Sequence, residues 1–133
     1  MLLYLTLGTN DLDRGIGFCD PVMAVLGHHR IDAAPGRAGC RWDYDGGISR
    51  WLCPPFDGQK ASVGNGTMVA FQATSAAQVR AWHAADLAHG GTDEGAPGIH
   101  DDYGPAFYFA YLRDPDRHKI ASGFHRYSPE SDR

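Results

Sequence analysis

The hairpin expected near the end of the chain is the first place to look for residues that could do chemistry. Its sequence, YLRDPDRHKIASGF from Tyr111 to Phe124, predicts a strand, a tight Asp-Pro-Asp turn and a second strand. A return strand of this kind could carry a metal-binding carboxylate. The centre of this one is Ile120-Ala121-Ser122, without an acid or an imidazole, and the candidate position is Ala121.

The histidines do not suggest a shared metal site. His28 and His29 are adjacent, so on a strand they would face opposite sides. His83 and His89 lie six positions apart on a predicted helix, share no face and are expected at the surface. Two more, in a turn and near the end of the chain, are expected to be solvated: His118 and His125.

The remaining histidine opens the segment His100-Asp101-Asp102-Tyr103, which lies in a loop bounded by glycine and proline. Loops of this kind often form lids over binding sites, and an imidazole or a carboxylate there could act as a general acid or base. A solvated loop is the commoner outcome for such a segment. Both interpretations stay open on sequence alone.

Three cysteines, Cys19, Cys40 and Cys53, form an odd number without a C-x-x-C pair. This pattern favours thiols in a reducing compartment, so we expect a cytoplasmic protein. A Cys40–Cys53 disulfide is the alternative if their two strands pair. Cys19 lies in the middle of a predicted helix without a base nearby in sequence, which argues against a nucleophile.

The composition excludes several functional classes. A chain of 133 residues with 43% hydrophobic and 21% charged residues is typical of one globular domain. The net charge of -4 and the scattered Lys and Arg residues argue against a nucleic-acid partner. The initial MLLYLTLG is too short to cross a membrane and lacks the charged start of a signal peptide, so no membrane partner is expected.

The first half of the chain predicts a strand, a helix and three strands. The first strand covers Leu2 to Leu7, and Asn10 is the expected N-cap of a helix that ends at Gly27. Pro21 should kink this helix or split it in two. Three short strands follow, with a turn at residues 45–47 between the last two: HHRIDAA, AGCRWDY and SRWLC.

The second half repeats this order after the loop PPFDGQKASVGNG. GTMVAFQA predicts a strand, Ser75 to Gln78 a capping box, and Gly90-Gly91 the end of the second helix. The stretch from 91 to 105 is predicted to be irregular with at most one short strand. AFYFAYLRD and HKIASGFHR predict the closing hairpin, and residues 127–133 a frayed tail.

The two halves form an internal repeat. Strand start, helix start and helix stop recur at a spacing of 64: Tyr4 and Met68, Asn10 and Thr74, Gly27 and Gly91. The repeat predicts one domain over residues 1–133, with module one at about 1–54, a linker at about 55–65, module two at about 66–126 and a tail.

Alternation predicts which residues face a cavity. FYFAYL is apolar at almost every position, so both faces of that strand should be covered, one by helices and the other by a cavity. Leu3, Leu5 and Leu7 should face the first helix, and the other row of each strand the cavity. The predicted cavity residues are mainly apolar with a few polar groups: Tyr4, Thr6, Met68, Ala70, Gln72, Phe109, Tyr111, Ala121 and Gly123.

The two βαβββ modules and the DPDRHKI turn resemble the vicinal oxygen chelate superfamily, which contains glyoxalase I, bleomycin-resistance proteins, fosfomycin-resistance enzymes and extradiol dioxygenases. The stretches PFDGQKASVGNGTMVAF and HAADLAHGGTDEGAPG resemble its small bacterial glyoxalase-like members. The resemblance covers roughly residues 1–126. It implies an α+β fold in which curved mixed sheets surround a cavity with the helices outside, and it implies a homodimer.

The resemblance also implies where metal ligands would stand. Family members often have His where this chain has Tyr4 and Met68, Glu where it has Ala121, and a fourth ligand near Leu52. All four depart from the imidazole or carboxylate that a divalent ion prefers, so we expect no metal. Tyr111 matches a tyrosine that often faces the ligand in fosfomycin-resistance-like members.

By the same resemblance, family members usually have a glycine where this chain has Arg117. An arginine at that position would be strained if its φ angle is positive.

Together these features predict a small organic ligand, bound without a cofactor by Tyr4, Thr6, Met68, Gln72, Phe109, Tyr111 and Ala121. The alternative is a lyase- or dioxygenase-like enzyme whose divalent metal is held by other residues, with His100 or Asp102 as candidates. The sequence does not name the catalytic residues of such an enzyme.

Overall fold

The computed structural model of the chain describes residues 2–32, 40–44 and 47–132. Each half forms a strand, a helix and three more strands, which confirms the predicted repeat. The first half contains β1 (Tyr4–Gly8), α1 (Leu12–Val25), β2 (His29–Asp32), β3 (Cys40–Asp43) and β4 (Ser49–Cys53). The second half contains β5 (Met68–Gln72), α2 (Ala76–Ala88), β6 (Thr92–Ile99), β7 (Tyr108–Arg113) and β8 (Lys119–Phe124).

Each half builds one mixed four-stranded sheet. The strand orders are β1-β4-β3-β2 and β5-β8-β7-β6. The first and last strands of each half are parallel neighbours, and the other pairs are antiparallel. A parallel pair needs a crossover connection, and the helix of each half lies within it. That helix covers one face of its sheet and leaves the other face open.

The core lies between the helices and the sheets. Leu7 of β1 and Phe71 of β5 are buried on this side, which confirms the predicted alternation for both strands. Leu3, which was predicted to join them, is 81% exposed because it precedes the first strand. Trp42 and Trp82 are fully buried core residues.

Helix α1 runs without interruption through Pro21, so the predicted split is wrong. Val22 and Met23 have no exposed surface, and their packing against the core offsets the lost hydrogen bond. The N-cap is Asp11, whose carboxylate accepts the Arg14 N–H at 3.1 Å.

The predicted N-cap, Asn10, binds the linker instead. Its amide donates to the Ala61 carbonyl at 3.1 Å and accepts the Ala61 N–H at 2.7 Å.

Helix α2 has half of the predicted capping box. The Ser75 hydroxyl accepts the Gln78 N–H at 3.1 Å, but the Gln78 side chain accepts from the Thr74 N–H at 2.7 Å rather than from Ser75. The Gln78 amide also donates to the Val25 carbonyl at 2.9 Å and so joins the two helices. The glycine with positive φ after α2 is Gly90. It lies 63 positions after Gly27, which ends α1, and not the 64 positions predicted from Gly91.

The stretch from 91 to 105 holds the eight-residue strand β6, where an irregular segment with at most one short strand was predicted. Its register against β7 shifts around Gly95 and Gly98, which explains why no regular alternation is visible in the sequence. Pro97 is tolerated because β6 is an edge strand. The short 3₁₀ helix Asp101–Tyr103 follows.

The C-terminal tail is docked rather than frayed. It forms a 3₁₀ helix at Glu130–Asp132, and Arg80 of α2 donates two hydrogen bonds to the Asp132 carboxylate at 2.8 and 3.0 Å. The Tyr127 ring stacks on Tyr108 with centroids 4.9 Å apart. The prediction failed because the contacts that hold the tail come from distant residues.

The two halves meet at a junction of charged groups. Arg50 of β4 is fully buried and lies 3.7 Å from the Asp114 carboxylate at the β7–β8 turn. Arg14 of α1 pairs with Asp116 at 3.0 Å. His118, predicted to be solvated, is half-buried and donates from Nε2 to the Gly8 carbonyl at 2.7 Å.

Other local predictions have mixed outcomes. His83, predicted at the surface, is buried and lies 2.8 Å from the Asp93 carboxylate. Arg117 has a φ of 72°, which confirms the predicted left-handed position. The predicted turn at 45–47 and the adjoining ends of two predicted strands fall partly on residues outside the described ranges.

The cysteines do not form the disulfide that the sequence left open. Cys40 is paired in register with Leu52 and is buried with it on the helix side, so Cys53 faces the opposite side of the sheet. Within residues 2–32, 40–44 and 47–132, no helix is long and apolar enough to span a membrane.

Candidate functional site

The open faces of the two sheets carry the predicted cavity residues. On the first sheet, Tyr4 and Thr6 are exposed and share a face with Trp51, which is paired with Thr6. On the second sheet, Met68, Ala70 and Gln72 are paired with residues of β8. The alternation of β1 and β5 therefore placed these rows correctly, because it depends only on the period of a strand.

The first open face has a depression of about 990 Å³ between the sheet and the linker. Its floor contains Tyr4, Thr6 and Trp51, and its rim is formed by Phe56 and Lys60. The Arg41 guanidinium lies 5.5 Å from the centre of the Trp51 ring and forms an ion pair with Asp43 at 3.0 Å.

The second open face has a separate depression of about 710 Å³. Met68, Tyr111 and Lys119 come from the sheet, and His100 and Tyr103 come from the loop after β6. The remaining lining comes mainly from the end of the linker and from an ion pair: residues 63–67, Glu94 and Arg113.

A row of aromatic rings crosses the second open face. Phe107, Phe109 and Tyr111 stack at centroid distances of 5.7 and 6.1 Å, each pair 20° from parallel. A Cβ at Gly123 would overlap the Phe109 ring, and one at Gly95 would lie 3.0 Å from the Tyr111 ring. Phe109 and Tyr111 therefore lie flat on the sheet, each over a glycine of a neighbouring strand.

His100 is held in one orientation at the edge of this row. Its Nε2 lies 3.1 Å from the Phe109 carbonyl, and its ring meets Tyr111 edge-on at 4.9 Å. A carbonyl oxygen only accepts hydrogen bonds, so Nε2 carries the proton and, in the neutral ring, Nδ1 has the free lone pair. Asp102 from the same segment is exposed on the 3₁₀ helix, whereas His100 and Tyr103 line the depression.

Burial raises the pKa of the Tyr111 phenol, and the nearby Tyr103 adds to this effect. The phenol therefore stays protonated near neutral pH and can donate a hydrogen bond. On the same face, the Lys119 ammonium lies 5.6 Å from the centre of the Tyr111 ring.

The seven predicted ligand-binding residues are divided between the two faces. Tyr4 and Thr6 line the first depression, and Met68 and Tyr111 line the second. The other three lie on the open face of the second sheet, outside the lining of its depression: Gln72, Phe109 and Ala121. Ala121 is fully buried there, in register with Ala70 and Tyr111.

The four positions compared with metal ligands are Tyr4, Met68, Ala121 and one residue of β4. Leu52 does not fill the fourth position, because it is buried in the core on the helix side. Its neighbour Trp51 occupies the open face, at the position of β4 that corresponds to Ala121 in β8. No group of three His, Cys, Asp or Glu residues that could hold a metal ion exists among the described residues.

Sequence reasoning missed two residues of these faces, Trp51 and Lys119. Lys119 could have been found by extending the alternation that identified Ala121, since it lies two residues before Ala121 on the same strand face. The Trp51 side chain is half-buried over the first depression.

Comparison with known proteins finds solved structures with the same fold. The crystal structure of a glyoxalase/bleomycin resistance protein from Albidiferax ferrireducens T118 is 35% identical to this chain. The match covers 92% of this chain and 97% of that chain, with a TM-score of 0.82.

More distant structures share the fold. A lactoylglutathione lyase from Agrobacterium tumefaciens is 21% identical, covers 92% of both chains and has a TM-score of 0.66. TioX from Micromonospora sp. ML1 is 16% identical over 94% of this chain and 98% of that chain, with a TM-score of 0.65. No protein-family model and no curated protein matches the chain.

Proposed function

The chain belongs to the glyoxalase/bleomycin resistance protein family, and from that premise we propose that it binds a small organic molecule on its open sheet faces without a divalent metal. The side-chain groups at the four positions compared with metal ligands are the observation that supports this proposal. They are a phenol, an indole, a thioether and a methyl group, from Tyr4, Trp51, Met68 and Ala121. A stable Zn²⁺ or Ni²⁺ site needs at least three converging nitrogen, oxygen or thiolate ligands at about 2 Å.

The lining of the two depressions supports an organic ligand. Tyr4, Trp51 and Phe56 on the first face and Met68 and Tyr111 on the second offer apolar and aromatic surface. Hydroxyl, ammonium and imidazole groups at their edges could orient a ligand. Sites for small organic molecules commonly combine a mainly apolar lining with few polar groups.

A homodimer is part of the proposal. Tyr4 is 54% exposed and Met68 44% exposed on the two open faces, which is costly for apolar groups in a single chain. A second copy of the chain packed over these faces would cover them and would turn two open depressions into enclosed sites. Sedimentation of the purified protein at micromolar concentration should give twice the chain mass, and a monomer would contradict this part.

A lyase- or dioxygenase-like enzyme is the second candidate, and the geometry of His100 favours it. With Nε2–H held by the Phe109 carbonyl, the Nδ1 lone pair is available to accept a proton or to hold a metal. The Tyr111 phenol beside it could donate a proton. In this alternative a divalent metal is held by ligands other than the four family positions.

Metal analysis separates the two candidates. Protein purified without a His-tag is titrated with Zn²⁺, Ni²⁺, Mn²⁺ and Fe²⁺, dialysed and measured by elemental analysis. We expect far less than one metal per chain. Near-stoichiometric metal that survives dialysis, and is lost in His100→Ala, would establish the alternative.

Ligand binding is tested by thermal shift with a panel of neutral aromatic compounds and thiol conjugates. We expect at least one of these compounds to raise Tm, because a ligand that binds only the folded state stabilises it. If no compound in the panel raises Tm, the proposal that the protein binds a small organic molecule is contradicted.

A further inference from the structure

The second open face provides a flat aromatic platform. Phe109 and Tyr111 lie against Gly123 and Gly95, so one face of each ring is turned to the sheet and the other away from it. Phe107 continues the row and is 38% exposed. Nearly parallel rings on a rigid sheet suit a planar ring system, because stacking needs a flat surface and costs little side-chain entropy there.

The charge beside this platform is positive. Lys119 lies over the Tyr111 ring, and within the described part of the chain it has this ring rather than a carboxylate as its partner. The other cation in the depression, Arg113, is already paired with Glu94 at 3.0 Å. Lys119 is therefore the group available to pair with an anion on a bound molecule.

The first open face lacks this combination. The cation on its sheet, Arg41, is paired with Asp43 at 3.0 Å and lies over the Trp51 ring, and its other cation, Lys60, comes from the linker at the rim rather than from the sheet. An anion there would have to compete with the Asp43 carboxylate for Arg41. These contacts make the second face the better site for a ligand that is both flat and negatively charged.

We infer that the second open face binds planar aromatic anions, with the ring system stacked on Tyr111 in the depression and on Phe109 beside it, and with the anionic group paired with Lys119. The inference rests on the proposed ligand-binding function and specifies its ligand class. The Tyr111 hydroxyl, kept protonated, donates a second hydrogen bond to the anion. His100 and Tyr103 form the wall beside the Tyr111 end of the platform.

The test uses calorimetric titration of the intact protein with 2-naphthoate, 2-naphthylmethanol and octanoate. These probes present the ring with charge, the ring without charge, and charge without the ring. We expect 2-naphthoate to bind at least about tenfold more tightly than either of the others, as expected if charge pairing and stacking each contribute.

Three variants assign the two contributions. Lys119→Gln should lower the affinity for 2-naphthoate to that for 2-naphthylmethanol. The control Arg126→Gln removes an exposed cation outside the depressions and should leave the affinities for both probes unchanged. Phe109→Leu should weaken both ring probes about tenfold or less without the clash that Gly123→Ala would introduce. Circular dichroism and Tm check that each variant is folded.

Two results would overturn the inference. Equal affinity for octanoate and 2-naphthoate would exclude stacking, and an anion preference that survives Lys119→Gln would exclude the pairing. Failure of all three probes would also overturn it, whereas the wider proposal of a small-molecule binder fails only if the neutral aromatic and thiol panel gives no stabilisation. The two failures are thus distinguishable.

Discussion

Asp86 of α2 is fully buried, and neither of its carboxylate oxygens has a hydrogen-bond partner among the described residues. Burial raises its pKa from 3.8 to about 8, although the charge of Arg50 lowers it in part. Burial also raises the pKa of Asp114, against the opposing charges of Arg50 and His118. Near neutral pH the protonated form of Asp86 is therefore favoured in the folded state.

This environment makes stability fall as pH rises. The unfolded chain loses the Asp86 proton near pH 4 and the folded chain near pH 8, so the folded state binds more protons between these values. The contribution is fully present below about pH 4 and is lost as pH approaches 8, at up to about 1.4 kcal/mol per pH unit. Asp86→Asn should remove most of this dependence and be more stable than the wild type at pH 8.

Urea unfolding at pH 5, 6.5 and 8 measures this dependence. Asp57→Asn, in an exposed loop, is the matched control and should follow the wild-type curve. An Asp86→Asn curve parallel to the wild type would contradict the prediction.

The three thiols should differ in reactivity. Burial raises the pKa of the Cys19 thiol to about 11, and Cys40 is buried in the core, whereas Cys53 is half-buried at the first depression. Because the thiolate is the reactive form, we expect one fast thiol with DTNB at pH 8 and two that react only on unfolding. Cys53→Ser should remove the fast phase. A fast phase that remains in this variant would show that a buried thiol, Cys19 or Cys40, is the reactive one and would contradict the prediction.

At the scale of elements, two glycines of α1 differ only in what lies beside them. A Cβ at Gly15 would overlap the Leu52 side chain of β4, whereas a Cβ at Gly17 meets nothing within 4 Å. Gly15→Ala should therefore cost about 1–3 kcal/mol, because the buried Leu52 must move. Gly17→Ala should stabilise by about 0.5–1 kcal/mol through the higher helix propensity of alanine.

Chemical unfolding of both glycine variants gives the comparison directly. Equal changes of the same sign would show that α1 does not pack against Leu52 as closely as described.

Most elements were predictable because their signals are local. The Asp-Pro-Asp turn, the glycine after each helix and the alternation of Tyr4-Leu5-Thr6-Leu7 act over a few residues. The length of β6 was underestimated because its register shifts around Gly95 and Gly98 break the alternation on which strand prediction depends. The tail was missed because Asp132 is held by Arg80, 52 positions away.

At the scale of the whole molecule, Arg50 joins the two halves. It comes from the first sheet, and it contacts Met23 of α1, the Phe71 ring of β5 and Asp114 of the second hairpin. Removing the Arg50 guanidinium leaves the Asp114 carboxylate buried without its ion-pair partner.

Arg50→Met should destabilise the chain by about 3–5 kcal/mol, the usual cost of removing one partner of a buried ion pair. Because the halves share this contact and the α1–α2 packing, the chain should still unfold in one transition. Calorimetry measures both, with Arg126→Met as the exposed control. Two separate transitions in the wild type would show that the halves are independent.

The sequence by itself determined the two βαβββ modules, the open rows of β1 and β5, and the absence of a carboxylate or imidazole at Tyr4, Met68 and Ala121. These features depend on residue type, strand period and turn chemistry, which are properties of short segments.

Tertiary structure decided the rest. Only the pairing of β1 with β4 puts Trp51 rather than Leu52 on the open face, and only the approach of Gly123 to Phe109 makes the aromatic row flat. The burial of Arg50 and Asp86 and the binding of His118 to Gly8 join residues that are far apart in the chain. Such contacts depend on how whole elements pack against each other, and no local pattern encodes them.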